Sequence, residues 1–214
     1  MNGLAPHTEA IFEAVTRLEC IKPYVLVGGT ALALQLGTRL SEDLDFMSWR
    51  ESVTGRREID WPTIKRELES VGHVDAVDIL DMEHVEFIVN GVKISFYASP
   101  NRSPLQSEVR YLNNLHLADL TAIGAMKMEV MLRRSKFRDY YDIYALLEAG
   151  IDLREMMTVA LKYSRHQLKS KNLIAMLTHS DRFVPDANFA LLQPRYNVTP
   201  KDIENRIISA IKAL

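Results

Sequence analysis

Apolar positions along this chain mix helical spacing and alternation before about residue 100 and keep helical spacing after it. Ile11, Phe12, Val15 and Leu18 recur at helical spacing and predict a helix from Thr8 to about Cys20, with Thr8 as its cap. Tyr24 to Val27 reads as a short buried strand that runs into Gly28-Gly29. Thr30 to Leu36 predicts a short apolar helix stopped by Gly37, and Leu44 to Ser48 a second strand. Trp49 to Glu58 is polar and predicts a loop. Asp60 then caps a helix that has Pro62 in its first turn and reaches about Ser70. Ala76 to Leu80 alternates weakly. Glu83 to Tyr97 is the clearest hairpin: Val85, Phe87 and Val89 alternate on one arm, Val92, Ile94 and Phe96 on the other. Between them stands Asn90-Gly91, the dipeptide preferred by a type I′ turn.

After Pro104 the pattern turns helical and is expected to stay so. Leu117 to about Arg133, Asp139 to Ala149, Asp152 to Leu168 and Asn172 to Thr178 predict helices. A last one starts at Thr199-Pro200 and runs to the C-terminus on a stripe of Ile203, Ile207, Ile208 and Ile211. The reading is an α/β part over residues 1–102 and a helical part over 103–214, with no internal repeat or low-complexity tract.

Composition narrows the function classes. A chain of 214 residues fits one large or two small domains. Its formal net charge of -2 gives no global basic field, so contact with RNA needs a local patch. Arg133, Arg134, Lys136 and Arg138 form the best such patch; a solvated loop between helices is the alternative. The single cysteine, Cys20, excludes an internal disulfide and a cysteine-based zinc site and suits a reducing compartment. The six histidines lack metal-ligand spacing. The N-terminus lacks the basic and apolar regions of a signal peptide, and no apolar run approaches the roughly 20 residues that cross a bilayer. A soluble cytoplasmic protein with no membrane partner is expected.

The candidate chemistry lies in Gly28-Gly29-Thr30 and in Arg39-Leu40-Ser41-Glu42-Asp43-Leu44-Asp45-Phe46. Side chains at i and i+2 of a strand share a face, so Asp43 and Asp45 point one way while Leu44 and Phe46 point into a core. Two adjacent carboxylates repel unless a cation sits between them, and Mg²⁺ is the hard cation suited to oxygen ligands and phosphates. Gly28 and Gly29 allow close backbone approach to a phosphate, and a helix opening at Thr30 would aim N–H groups at it. The pair is neither a Walker loop nor a Rossmann fingerprint. Together these features point to a metal-dependent site for a nucleoside triphosphate.

Each residue also has a plainer reading. Asp43 and Asp45 could be solvated acids on an edge strand, and the glycines an ordinary strand-to-helix turn. Thr30 could bind phosphate or cap the helix, Ser41 contact the nucleotide or cap a turn, and Arg39 grip a phosphate or stand as a surface charge. Lys127 lies in an otherwise apolar helix, where a lysine is costly to bury without a partner; snorkelling is its alternative. Asp139 and Asp142 share a helix face, with Asp139 in the first turn where the dipole favours it and Asp142 able to pair with Arg138 or Lys136. Tyr140, Tyr141 and Tyr144 read as packing.

These motifs resemble those of the AbiEii/AbiGii nucleotidyltransferase toxins, within the DNA-polymerase-beta-type nucleotidyltransferase superfamily. The first is Gly28-Gly29-Thr30-Ala31-Leu32 with Arg39 to Phe46, the second runs from Ala118 to Lys127, and the third from Arg138 to Leu147. The resemblance covers roughly residues 10–150. It implies an α/β (α+β) fold, with a mixed sheet flanked by helices and a helical C-terminal lobe closing over the nucleotide. It implies transfer of a nucleoside monophosphate from an NTP, tRNA as the acceptor, a toxin–antitoxin or phage-defence setting and a cognate antitoxin.

The resemblance assigns Asp43 and Asp45 to Mg²⁺ (or Mn²⁺), and Gly28, Gly29, Thr30, Arg39, Ser41 and Lys127 to the nucleotide. Asp139 is assigned to orienting Lys127 or the acceptor. One departure stands out. Superfamily members place a third carboxylate on a later strand, and the corresponding positions here are Lys93, Ser95 and Tyr97. Glu86 or Asp139 could supply the base, no strong base could be needed, or catalysis could be lost. Transfer to a small molecule and a non-catalytic binding module remain alternatives.

Overall fold

The computed structural model describes residues 3–49, 58–165 and 167–213. Helix α1 (Pro6–Thr16) starts earlier than the spacing predicts, because Pro6 takes its first position behind Ala5. Thr8 therefore lies inside the helix and caps nothing; its hydroxyl donates to the Glu42 carbonyl at 2.5 Å. There follow β1 (Val25–Val27), α2 (Gly28–Leu36) and β2 (Leu44–Trp49). The predicted loop after Trp49 lies almost wholly outside the described residues. Asp60 caps α3 (Trp61–Leu68) by accepting the Thr63 N–H at 3.3 Å. Then come β3 (Val74–Asp81), β4 (His84–Val89) and β5 (Val92–Ser99). Asn90 and Gly91 take φ values of 48° and 75°, the left-handed pair that a type I′ turn requires.

The expected run of helix from Pro104 begins only at Leu120. Residues before it form a second hairpin, β6 (Glu108–Leu112) and β7 (Leu115–Ala118). Its turn is Asn113-Asn114, with Asn113 at φ 50°. The turn also closes the end of α1. The Asn114 side chain donates to the Arg17 and Leu18 carbonyls at 3.0 and 2.9 Å, and its backbone N–H donates to the Thr16 carbonyl at 2.9 Å. The Thr16 and Arg17 carbonyls are among those that a helix end leaves without intrahelical partners.

All seven strands form one mixed sheet in the order β3-β4-β5-β2-β1-β7-β6. β2 runs antiparallel to β1 and parallel to β5, and β1 runs parallel to β7 through Leu26 and Leu117. Leu26, Leu44, Phe46, Phe87, Ile94 and Phe96 are fully buried, with Phe96 stacked on Phe46 and edge-on to Phe87.

By contacts the chain divides into two units, Met1–Ser103 with Ser107–Ala118, and Pro104–Gln106 with Asp119–Leu214. The second unit holds α4 (Leu120–Val130), α5 (Phe137–Glu148), α6 (Leu153–Tyr163), α7 (Ser170–Leu177) and α8 (Pro200–Lys212), with two short 3₁₀ turns before α8. Asp119 caps α4, and Thr199 with Asp202 forms a capping box on α8. Tyr140 and Tyr141 are fully buried against Phe183 and Phe189 respectively, so they pack as expected. No helix among the described residues is long and apolar enough to cross a membrane.

Candidate active site

In the first unit the site is built where β1 passes into α2. The antiparallel register sets Val27 opposite Asp45, so the chain turns beside that carboxylate. Gly28 makes the turn at φ 70°, and a Cβ there would stand 3.1 Å from Asp45 Oδ2. Both facts select glycine. A Cβ on Gly29 would overlap the Arg39 guanidinium and approach the Ser41 hydroxyl to 3.2 Å. The N-cap of α2, Val27, supplies no side-chain cap bond, and the helix opens on the half-exposed pair Gly28 and Gly29.

Behind this turn Thr30, Arg39 and Ser41 are buried, Arg39 at 4% exposure. The Thr30 hydroxyl donates to the Asp43 carbonyl and shares a 2.8 Å hydrogen bond with the Ser41 hydroxyl. Thr30 thus staples the acidic motif to α2 and does not cap the helix. Arg39 Nη1 donates to the Leu40 carbonyl at 2.9 Å. Its burial over Gly29 sets aside the surface-charge reading.

Leu44 and Phe46 are buried, while Asp45 in β2 and Asp43, just ahead of the strand, are half-buried. β2 lies inside the sheet between β5 and β1, which rules out the edge-strand alternative. The donor set is two carboxylates, and no group of three or more acid, His or Cys side chains among the described residues could hold a metal. Two carboxylates completed by substrate phosphates are the donor set that Mg²⁺ takes, so these residues fit the ion.

Ser95 stands in register with Asp45 across the β2–β5 pair and is fully buried. Its hydroxyl has no hydrogen-bond partner among the described residues. One strand further along the same row is Glu86, whose Oε1 lies 3.1 Å from His84 Nε2 and 3.7 Å from Lys93 Nζ.

The second unit carries a buried ionic cluster. Lys127 on α4 is 7% exposed and pairs with Asp139 at 3.0 Å and Asp142 at 2.7 Å, both fully buried on α5. Arg134 grips Asp139 with two bonds, at 2.9 and 3.1 Å. Burial would raise the Asp139 carboxyl, but Lys127 and Arg134 outweigh it and hold the group below its ordinary 3.8. Lys127 therefore does not snorkel. Asp142 pairs with Lys127 in place of Arg138 or Lys136, because the face it shares with Asp139 is the one that meets Lys127; Arg138 bonds Asp186 instead.

The basic patch read from sequence is largely neutralised: Arg133 is held by Glu129, Arg134 by Asp139 and Arg138 by Asp186. The role of Arg134 as an anchor for Asp139 was missed, since sequence spacing does not reveal how the α4–α5 connection folds back. The structure thus groups Gly28, Gly29, Thr30, Arg39, Ser41, Asp43 and Asp45 in the first unit, and Lys127 with Asp139 in the second.

Known proteins are similar to this chain in sequence or in fold. A protein of Aquifex aeolicus (strain VF5), itself uncharacterized, is 28% identical over 169 residues, 78% of each chain. MenT4, a nucleotidyltransferase toxin from Mycobacterium tuberculosis H37Rv, superposes with a TM-score of 0.59 at 14% identity, covering 98% of this chain and 90% of its own. JHP933 from Helicobacter pylori gives 0.55 at 19% identity, covering 99% and 93%. At these identities the superpositions speak for a shared fold. Residues 12–208 match the family described as Nucleotidyl transferase AbiEii toxin, Type IV TA system, and the chain belongs to that family of nucleotidyltransferase enzymes.

Proposed function

We propose that this nucleotidyltransferase moves a nucleoside monophosphate from an NTP to an RNA acceptor of the tRNA class, in the cytoplasm, as a toxin beside a cognate antitoxin. The observation that carries the reading is the register of Val27 with Asp45, which brings a carboxylate against the glycine turn at an uncapped helix start. That is a place for a triphosphate with its metal. When bound at Asp43 and Asp45, Mg²⁺ (or Mn²⁺) supplies charge neutralisation on the phosphates.

The chain's own groups do the rest. The N–H groups from Gly28 and Gly29 onward bind phosphate oxygens. Arg39, Ser41 and Thr30 keep the turn and the acidic motif in one geometry. The resemblance assigns Lys127 to the nucleotide, with Asp139 as its positioning partner. Asp139 is a poor proton acceptor, because its two oxygens already accept three N–H donors and its pKa is depressed.

Incubation with α-labelled NTPs, Mg²⁺ and total tRNA tests this directly. Label is expected on RNA. Asp43→Ala is expected to reduce it more than about a hundredfold with an unchanged circular dichroism spectrum, since even partners outside the first coordination shell contribute about 10–100-fold. Equal labelling by the variant refutes the site, and label confined to small molecules refutes the RNA acceptor.

A further inference from the structure

The connection between α6 and α7 carries four cations within ten residues: Lys162, Arg165, Lys169 and Lys171. All four are exposed. None makes an ion pair or side-chain hydrogen bond with a described residue. Several other cations near the surface are paired within the chain. Arg17 pairs with Glu13, Lys22 with Glu19, Lys65 with Glu69 and Arg206 with Glu148. Here no partner is available nearby in sequence, because Met156 to Ser180 contains no Asp or Glu. A chain with a net charge of -2 has thus gathered unbalanced positive charge in one segment.

Helix electrostatics account for only part of it. Lys162 lies in the last turn of α6, where the dipole favours a cation. Lys169 is the N-cap of α7 and Lys171 stands in its first turn, where the dipole disfavours one. Lys169 caps no N–H group, a task for which Ser, Thr, Asp or Asn is suited. Lys169 and Lys171 are thus kept against local preference, exposed and unpaired, which suits them to an anion outside the chain. The spread of the four cations along a segment suits a polyanion better than a single phosphate. Exposed Gln167, Ser170 and Asn172 lie among them and can donate to phosphate or sugar oxygens. α6 packs on α4, the helix that bears Lys127, so the segment belongs to the same packed unit as that residue.

We infer that Lys162, Arg165, Lys169 and Lys171 form a docking surface for the phosphate backbone of the RNA acceptor. The inference rests on the reading of RNA as acceptor and replaces the 133–138 patch as its binding element.

Binding of fluorescein-labelled tRNA, with no NTP present, is the test. A variant with Lys162→Ala, Arg165→Ala, Lys169→Ala and Lys171→Ala is compared with a control carrying Arg17→Ala, Lys22→Ala, Arg66→Ala and Lys212→Ala, which loses the same charge from other exposed positions. At about 0.1 M salt the first variant is expected to bind at least ~10-fold more weakly, with the slope of log K against log salt reduced by about 3, near 0.7 per lost contact. The control is expected to bind as wild type, and arginine at all four positions to retain binding. In transfer assays KM for tRNA rises while kcat holds.

Wild-type binding by the alanine variant overturns the inference, as does equal weakening in the control. So does wild-type protein that binds no tRNA, or a variant that loses only binding to vesicles of phosphatidylserine and phosphatidylcholine. Protein that binds tRNA through these four residues yet labels none of it would refute the transfer reading and leave this surface standing.

Discussion

Asp139 illustrates how a residue's role depends on the company it keeps. Its place in the first turn of α5 gives it a favourable dipole whatever else it does. Lys127 and Arg134 turn it into the centre of a buried ionic group. Asp139→Asn would leave Lys127 with Asp142 alone and Arg134 without its bidentate partner. Breaking a buried pair from one side costs about 3–5 kcal/mol, and Arg134, being half-exposed, moves this case toward the lower value. Urea unfolding monitored by circular dichroism measures it.

The same residue sets a pH dependence. Its folded pKa lies below 3.8, so between the folded and unfolded values the unfolded chain binds more protons. Its contribution is full above about pH 4, the unfolded carboxylate range, and is lost as pH falls through the depressed folded value. Unfolding free energies measured from pH 6 to 3 are expected to fall more steeply at the acid end in wild type than in Asp139→Asn. The anomalous lysine and the shared face of Asp139 and Asp142 were legible in sequence, because a charge in an apolar helix and an i, i+3 spacing are local facts. Which acid meets which base was not, since that depends on how two helices cross.

Among the elements, those with strong local signals were the ones the sequence specified. The β4–β5 hairpin followed from Asn90-Gly91 and two alternating arms. The β6–β7 hairpin escaped because its turn has two asparagines and no glycine, and because Leu115 and Leu117 continue into the apolar run of α4. Helix pairing also sets limits that periodicity does not display. An added Cβ on Gly124 would run into the Met156 sulfur and come within 3.1 Å of Leu146 Cδ1. This glycine lets α4 approach its neighbours. Gly124→Ala is therefore expected to destabilise by about 1–3 kcal/mol despite alanine's better helix propensity, as overpacking does in a filled core. A thermal melt would register this as a Tm several degrees lower, at roughly 2–4 °C per kcal/mol for a chain of this size. An unchanged or raised Tm would mean that Met156 moves aside freely.

For the whole molecule, composition and charge narrowed the class while long-range pairing decided the architecture. A change of period near residue 100 is visible in the sequence, but the sheet is finished only by β7, which pairs with β1 through Leu117 and Leu26. A fragment of residues 1–102 would leave β1 without that neighbour, whereas one of residues 1–118 would retain all seven strands. The shorter fragment is expected to aggregate through its open strand, and the longer to elute from a sizing column as a discrete species. Equal behaviour of the two would make the hairpin dispensable. The pairing of Leu26 with Leu117 also bears on synthesis. A ribosome that has just made the glycine turn and its two aspartates must add more than one and a half times the chain already made before their supporting strand is flanked on both sides. Translation thus runs well ahead of assembly here, and the newborn protein has an interval in which the parts of its candidate site exist but are not yet held together.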